Sequence, residues 1–135
     1  MMHIVSKVLG SMVCTALFVS LVGCGGGNAR CDMRPQTPQC TDWRGSVSPV
    51  WTVQEGLCKT LAGTSTGGVF MSGATCPVEE MWGGCQATQG DGSKQTNWYY
   101  KGQKYPTEAD AKKNCDSGMA WLPGGLSHGT ALCGL

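Results

Sequence analysis

The chain has 135 residues, with ten basic and nine acidic side chains and a formal net charge of +1. That length is enough for one compact domain and a short attached segment. Proteins that bind nucleic acids collect phosphates with a positive field, and the longest basic run here is the pair Lys112-Lys113. We therefore expect no nucleic-acid partner.

The N-terminal segment has the pattern of an export signal. Lys7 precedes an apolar run from Val8 to Val22, and no charged residue lies between Lys7 and Cys24. A positive start followed by a short apolar run is typical of signal peptides. A membrane-spanning helix is the alternative, but this run of 15 residues is shorter than the roughly 20 that span a bilayer.

The apolar run ends in Leu21-Val22-Gly23-Cys24, with leucine three positions before the cysteine and a small residue directly before it. This tetrapeptide resembles the lipobox of bacterial lipoproteins, a resemblance that covers residues 1–24 only. It implies that residues 1–23 are a signal peptide and that Cys24 carries a diacylglycerol thioether and an N-linked acyl chain such as palmitate. Several acyl chains hold a protein stably on a membrane.

The same resemblance implies a location. In the family's sorting rule, a residue other than aspartate after the lipidated cysteine favours the outer membrane, and Gly25 occupies that position. We expect a cell-envelope protein anchored in the outer membrane through Cys24. Residues 24–30 are then predicted to be a flexible glycine-rich tether, and residues 31–135 a single cysteine-rich domain.

The cysteines predict a disulfide framework. Nine occur in the chain; without Cys14 in the signal and the lipidated Cys24, the remaining ones are Cys31, Cys40, Cys58, Cys76, Cys85, Cys115 and Cys133. In an exported chain these favour disulfides, with three bridges and one spare thiol as the simplest count. The pairing stays open, and a bridge from Cys31 to Cys40 closing a proline-containing loop is one candidate.

Metal binding is the competing interpretation of the cysteines. Zinc modules use closely spaced ligand pairs, but the chain has no C-x-x-C motif, and His128 is the single histidine after Cys24. We therefore predict no metal and no other cofactor.

The first half of the domain has few clear elements. Residues 31–40 are predicted to be an irregular loop and residues 46–51 a short strand. Thr52 and Glu55 have the spacing of a capping box, which predicts a helix that ends at Cys58 or Leu61. Residues 69–71 are expected to form a strand between glycines.

The second half has stronger local patterns. Residues 81–88 are predicted as one strand, residues 90–93 as a turn, and the aromatic-rich residues 97–101 as another strand. Thr107 and Asp110 repeat the capping pattern and predict a helix that reaches Cys115 and stops near Gly118, before a strand over residues 119–122. The predicted fold class is a small disulfide-rich α+β domain, with a short antiparallel sheet and one or two short helices.

The cysteine spacing raises the hypothesis of a degenerate internal repeat, residues 31–76 followed by residues 76–135. In both halves a threonine-led capping pattern precedes the third cysteine, Cys58 in one and Cys115 in the other. Coincidence in a chain rich in glycine and cysteine is the alternative.

Residues for catalysis are sparse. Acyl-transfer and hydrolytic sites combine a nucleophile with a base and an orienting group, and His128 lies in a glycine-rich tail. Glu79 and Glu80 are adjacent in sequence and so point in different directions, which does not suit a catalytic pair of carboxylates. The position of Asp110 is explained by its role in helix capping. We predict that the protein is not an enzyme; a site using the spare cysteine is the remaining enzymatic hypothesis.

The aromatic residues support two interpretations. Trp98, Tyr100 and Trp121 are assigned to the core. Trp82, Tyr99 and Tyr105 form, on one hypothesis, an exposed platform that stacks on a glycan or anchors a protein partner; on the other they are also core. The function expected is a non-enzymatic envelope lipoprotein with an interaction or structural role. The alternative is a glycan- or protein-binding module, for adhesion, cell contact or inhibition, that uses exposed aromatics.

Overall fold

The computed structural model describes residues 26–34, 36–46, 49–61 and 67–125. The predicted signal peptide, Cys24, His128 and Cys133 lie outside these residues. No helix within the described ranges is long and apolar enough to cross a membrane.

Six antiparallel strands form one sheet, in the order β3-β1-β2-β5-β4-β6. In chain order the elements are β1 (Gly27–Asp32), β2 (Gln39–Ser46), α1 (Pro49–Leu61), β3 (Val69–Ser72), β4 (Met81–Thr88), β5 (Lys94–Tyr100), α2 (Glu108–Lys112) and β6 (Ala120–Pro123).

The two halves of the chain have the same topology. Each has the order strand, strand, helix, strand, and in each the third strand pairs with the first. The registers agree as well, because Cys31 lies opposite Thr41 in the first half and Cys85 lies opposite Asn97 in the second. Thr41 and Asn97 are themselves partners where β2 meets β5. An approximate two-fold axis therefore passes between Thr41 and Asn97.

This topology differs in its boundaries from the repeat suggested by cysteine spacing. The matching halves are residues 27–72 and 81–123, joined by residues 73–80, so Cys31 corresponds to Cys85 rather than to Cys76. Cys58 and Cys115 do correspond, since each ties the helix region of its half to the first strand of that half.

Both helices cover the same face of the sheet. Cys31, Thr41, Asn97 and Cys85 are successive cross-strand partners, so their side chains share one face. The Cys31–Cys58 and Cys85–Cys115 bridges tie the two helical regions to this face, on which α1 contacts β1 and β3, and α2 contacts β4. We call it the helix face.

The connection between the halves, residues 73–80, covers the opposite face. Its Cys76 is bridged to Cys40 on β2. The Tyr100 hydroxyl donates to the Pro77 carbonyl at 2.6 Å, and Arg30 Nη1 donates to the Thr75 carbonyl at 3.0 Å. A sheet covered on both sides explains why Trp98 and Tyr100, predicted as core, are buried, as is Tyr99 on the other face; Trp121 is half-buried.

The predictions for the first half were partly wrong. β2 ends at Ser46 and α1 begins at Pro49, where the missing N–H of proline costs nothing. Residues 49–51, predicted as part of a strand, are therefore helical, and Thr52 lies inside the helix instead of capping it. Glu55 pairs with Lys59 at 2.7 Å. The strand at residues 69–71 is confirmed as part of β3.

The predicted tether is also corrected. Residues 27–30 belong to β1. Gly26 lies so close to the Gly45 backbone that a Cβ has no room there. The domain therefore includes residues assigned to the tether, because the glycine-rich sequence forms an inner strand held by β2 and β3 on its two sides.

The predictions for the second half were closer. Residues 81–88 form a strand, and Gln89 N donates to the Ser93 carbonyl at 2.7 Å across the predicted turn. Thr107 is the N-cap of α2 and accepts from Asp110 N at 3.2 Å. The helix ends at Lys112, however, and Cys115 follows it in an irregular turn.

Three disulfides join described residues: Cys31–Cys58, Cys40–Cys76 and Cys85–Cys115. The candidate Cys31–Cys40 bridge is wrong. Cys40 lies opposite Asp32, one register position from Cys31, so the two cysteines face opposite sides of the sheet. The antiparallel sheet and two helices are confirmed, but the sheet is not short, because it contains six strands and dominates the domain.

Candidate functional site

The three aromatic residues singled out from the sequence do lie together. The rings of Tyr99 and Tyr105 meet edge to face with centroids 5.1 Å apart, and Trp82 Nε1 donates to the Tyr105 carbonyl at 2.9 Å. Only 3% of Tyr99 and 3% of Tyr105 is exposed, and both pack against Cys85. The hypothesis of an exposed aromatic platform is therefore wrong for Tyr99 and Tyr105, which belong to the core as in the alternative, whereas Trp82 is half-buried.

A different group of side chains forms a recess at the centre of the helix face. The helices contact β1, β3 and β4 and leave the two central strands of the sheet, β2 and β5, less covered. Over this middle region lies a recess of about 320 Å³, which we call the central recess. Its described lining consists of Cys31, Met33, Gln39, Thr41, Trp43, Gln95 and Asn97.

Hydrogen bonds hold the floor of the central recess in a defined arrangement. Thr41 Oγ1 donates to Asn97 Oδ1 at 2.9 Å, and Trp43 Nε1 donates to Gln95 Oε1 at 3.0 Å. Gln95 Nε2 also approaches Asn97 Oδ1 at 3.4 Å. Because these bonds cross from β2 to β5, the floor is built jointly by the two halves of the chain.

The residues of the recess floor are related in pairs by the approximate two-fold axis. Trp43 lies opposite Gln95, and Gln39 lies opposite Tyr99. The Gln39 side chain is hydrogen-bonded to the Tyr99 hydroxyl, just as Trp43 is bonded to Gln95. Burial raises the pKa of Tyr99 to about 12, so its hydroxyl is neutral at physiological pH.

The recess residues retain hydrogen-bonding capacity for a ligand. A primary amide has two donor hydrogens and one acceptor oxygen. The bonds among described residues use the oxygen of Asn97 and leave both hydrogens on its nitrogen, and they use one of the two on Gln95. Both amides are half-buried. The site can therefore recognise neutral polar groups.

The polar residues of this site were not predicted from the sequence. The signal was present as Gln39-x-Thr41-x-Trp43 and Gln95-x-Asn97-x-Tyr99, two similar patterns with the two-residue period of a strand. Neither pattern contains a residue type that by itself indicates chemistry. Only the pairing of β2 with β5 places them side by side.

A second cavity lies near the β1–β2 turn and the end of β5. It measures about 520 Å³, and its described lining includes Arg34, Glu80, Tyr100, Lys101 and Lys104. Arg34 Nε and Nη2 donate to Asp32 at 2.9 and 2.8 Å, and the Arg34 guanidinium lies 4.4 Å from the Tyr100 ring centre. Lys101 lies 3.7 Å from Glu80. We call this the charged cleft; two of its cations already have carboxylate partners within the protein.

Six of the seven disulfide candidates are bridged, and Cys133 lies outside the described residues. Within the ranges that the structure describes, no group of three or more histidine, cysteine, aspartate or glutamate side chains is arranged to hold a metal ion.

Comparison of the chain with protein-family models, with curated proteins and with solved structures finds no match.

Proposed function

We propose that this protein is an exported, lipid-anchored binding module of the cell envelope. In this proposal Cys24 holds the module on the outer membrane, and the central recess binds a small polar ligand. The observation that carries the binding role is the recess itself, where β2 and β5 present amides with unused hydrogen-bonding capacity.

The disulfides support export. Structural disulfides persist in oxidising compartments and are rare in the cytosol. The bridges Cys31–Cys58, Cys40–Cys76 and Cys85–Cys115 tie the sheet to both helical regions and to the connecting segment. Their positions agree with the location implied by the lipobox-like sequence ending at Cys24.

The chemistry of the recess favours binding over catalysis. Its polar lining residues are amides, a hydroxyl and an indole. These groups donate and accept hydrogen bonds, but they do not exchange protons near neutral pH as a general base does.

The short connection to Cys24 supports a position close to the membrane. Gly26 already packs on Gly45, so Gly25 alone separates the lipidated residue from the domain. An extended chain covers about 3.5 Å per residue, which gives a reach on the order of 7 Å. The ligand is accordingly expected at or near the membrane surface.

Replacing Cys24 tests the anchor. We expect Cys24→Ala to lose palmitate labelling and to move from the membrane fraction to the soluble fraction, because the acylated atom is gone. The control is Cys14→Ala, which changes a cysteine inside the predicted signal and should leave labelling and fractionation unchanged. Circular dichroism of the released variant should match that of the wild type. Continued labelling of Cys24→Ala in the membrane fraction would contradict the proposal.

A further inference from the structure

The two halves of the chain differ in what covers their equivalent aromatic residues. Trp43 in β2 corresponds to Tyr99 in β5, because each lies two residues after the axis pair Thr41 and Asn97. In the second half, Tyr105 packs its ring against Tyr99. In the first half, the ring of Phe70 from β3 lies 6.5 Å from that of Trp43, and the central recess lies beside Trp43.

The connection before the helix also differs in length between the two halves. Between β5 and α2 the chain has seven residues, 101–107, and this loop supplies Tyr105. Between β2 and α1 it has two, 47–48. Tyr105 therefore belongs to a longer connection, and the described rings that pack on the Trp43 cluster come from α1 and β3 instead, as Trp51 and Phe70.

The volume of the recess limits the size of a ligand. The recess volume of about 320 Å³ is at the small end of the range for ligand pockets, roughly 300–1,000 Å³. A ligand of one or two six-membered rings suits that volume.

The lining indicates the ligand's polarity. The described lining residues are all uncharged, so an ionised ligand would lose its hydration without gaining a counter-charge. A purely aromatic ligand would leave the hydrogens of Asn97 and Gln95 without acceptors, which costs free energy when they are buried. Hydroxyl groups on the ring satisfy these donors.

One wall of the recess is apolar. Trp43, Met33 and the bridged Cys31 belong to one apolar cluster and line one part of the recess, while Gln39, Gln95 and Asn97 supply amides. A pyranose ring has this same division, with C–H groups on its faces and hydroxyls around its edge. We propose that the central recess binds a neutral pyranose sugar, as a single ring or a disaccharide. This inference rests on the recess being the binding site of the proposed function.

Nuclear magnetic resonance of the full chain in detergent tests the ligand class. The probes are glucose and N-acetylglucosamine at millimolar concentration, with phenol as an aromatic ring of similar size. We expect the side-chain amide signals of Gln95 and Asn97 to shift with at least one of the sugars and not with phenol. Shifts with phenol alone would overturn the sugar assignment while keeping the recess as a binding site. No shift with any probe would also overturn it.

Two variants locate the binding. Asn97→Ala should weaken sugar binding about tenfold, as expected for lost hydrogen bonds, and Gln95→Ala should weaken it as well. Gln103→Ala, in the lining of the charged cleft, is the matched control and should bind like the wild type. Thermal unfolding of each variant identifies any that fail to fold. Unchanged affinity in both folded recess variants would overturn the inference, whereas the membrane anchor is tested separately by Cys24→Ala.

Discussion

At the scale of single residues, Gly84 shows how closely the rings pack on the sheet. A Cβ at this position would lie 2.5 Å from the Trp98 ring and 2.9 Å from Thr96 Cγ2. Gly83 is equally restricted, by Trp121 and the Leu122 carbonyl. Gly83 and Gly84 therefore lie within β4 and do not end the strand, because neighbouring aromatic rings fill the space that their side chains would otherwise occupy.

Gly84→Ala should destabilise the protein by about 1–3 kcal/mol, since the added methyl group must displace Trp98 or Thr96. The control is Gly56→Ala in α1, where a Cβ would meet nothing within 4 Å. That change should stabilise the helix by up to about 1 kcal/mol, because alanine has the higher helix propensity. Urea unfolding measures both. Equal stability of the two variants would contradict the packing described for Gly84.

At the scale of elements, local chemistry explains which helices and strands the sequence predicted. Thr107 caps α2 through Asp110 N, as its spacing predicted, and β5 is rich in strand-forming aromatics. β1 and β2 were missed because their sequences contain glycine, charged residues and cysteine without a clear apolar alternation. Their pairing with β3 and β5 stabilises them instead.

The turn between β1 and β2 depends on an ion pair. Arg34 donates from its side chain and its backbone N to Asp32. Burial by itself would raise the pKa of Asp32, but the hydrogen bonds and charge of Arg34 outweigh it and lower this pKa below its ordinary value of 3.8. Asp32 therefore adds stability above about pH 4, and this contribution is lost as the pH falls through the lowered pKa.

Asp32→Asn should consequently lower the free energy of unfolding at pH 7 by about 1.5–3 kcal/mol, the range for hydrogen bonds to charged groups. At a pH below the pKa of Asp32 in the folded protein, the variant and the wild type should have nearly equal free energies of unfolding. Denaturant midpoints across this pH range measure the difference, with the exposed Asp116→Asn as control. If the difference in stability between variant and wild type stayed constant down to the lowest pH, the Asp32 carboxylate would be ruled out as its source.

At the scale of the whole molecule, the apolar core is divided into three clusters, and each contains a disulfide. Cys40–Cys76 lies with Trp98 and Tyr100; Cys31–Cys58 lies with Trp43; and Cys85–Cys115 lies with Tyr99 and Tyr105. The bridges span 27 to 36 residues of chain. Each is worth about 3–4 kcal/mol through its restriction of the unfolded chain, and their sum is comparable to the whole stability of a small domain.

Reduction should therefore unfold the domain at ordinary temperatures. We expect the near-ultraviolet circular dichroism of the buried aromatic rings to disappear when a phosphine reductant is added, and to remain in an untreated sample at the same temperature. A reduced protein that kept this signal would mean that the three apolar clusters suffice without their bridges.

The sequence by itself determined the features that depend on neighbouring residues: the cap at Thr107, the turn after Thr88, the extent of β4 and the use of cysteines as bridges. Only the tertiary structure decided which cysteines pair, that Tyr99 and Tyr105 are buried, and that Gln39, Thr41, Gln95 and Asn97 share one floor. The physical reason is distance along the chain. Local conformation follows from a few adjacent side chains. The recess, in contrast, exists because β2 and β5, whose paired residues are 50 to 60 positions apart in the chain, lie against each other across the approximate two-fold axis.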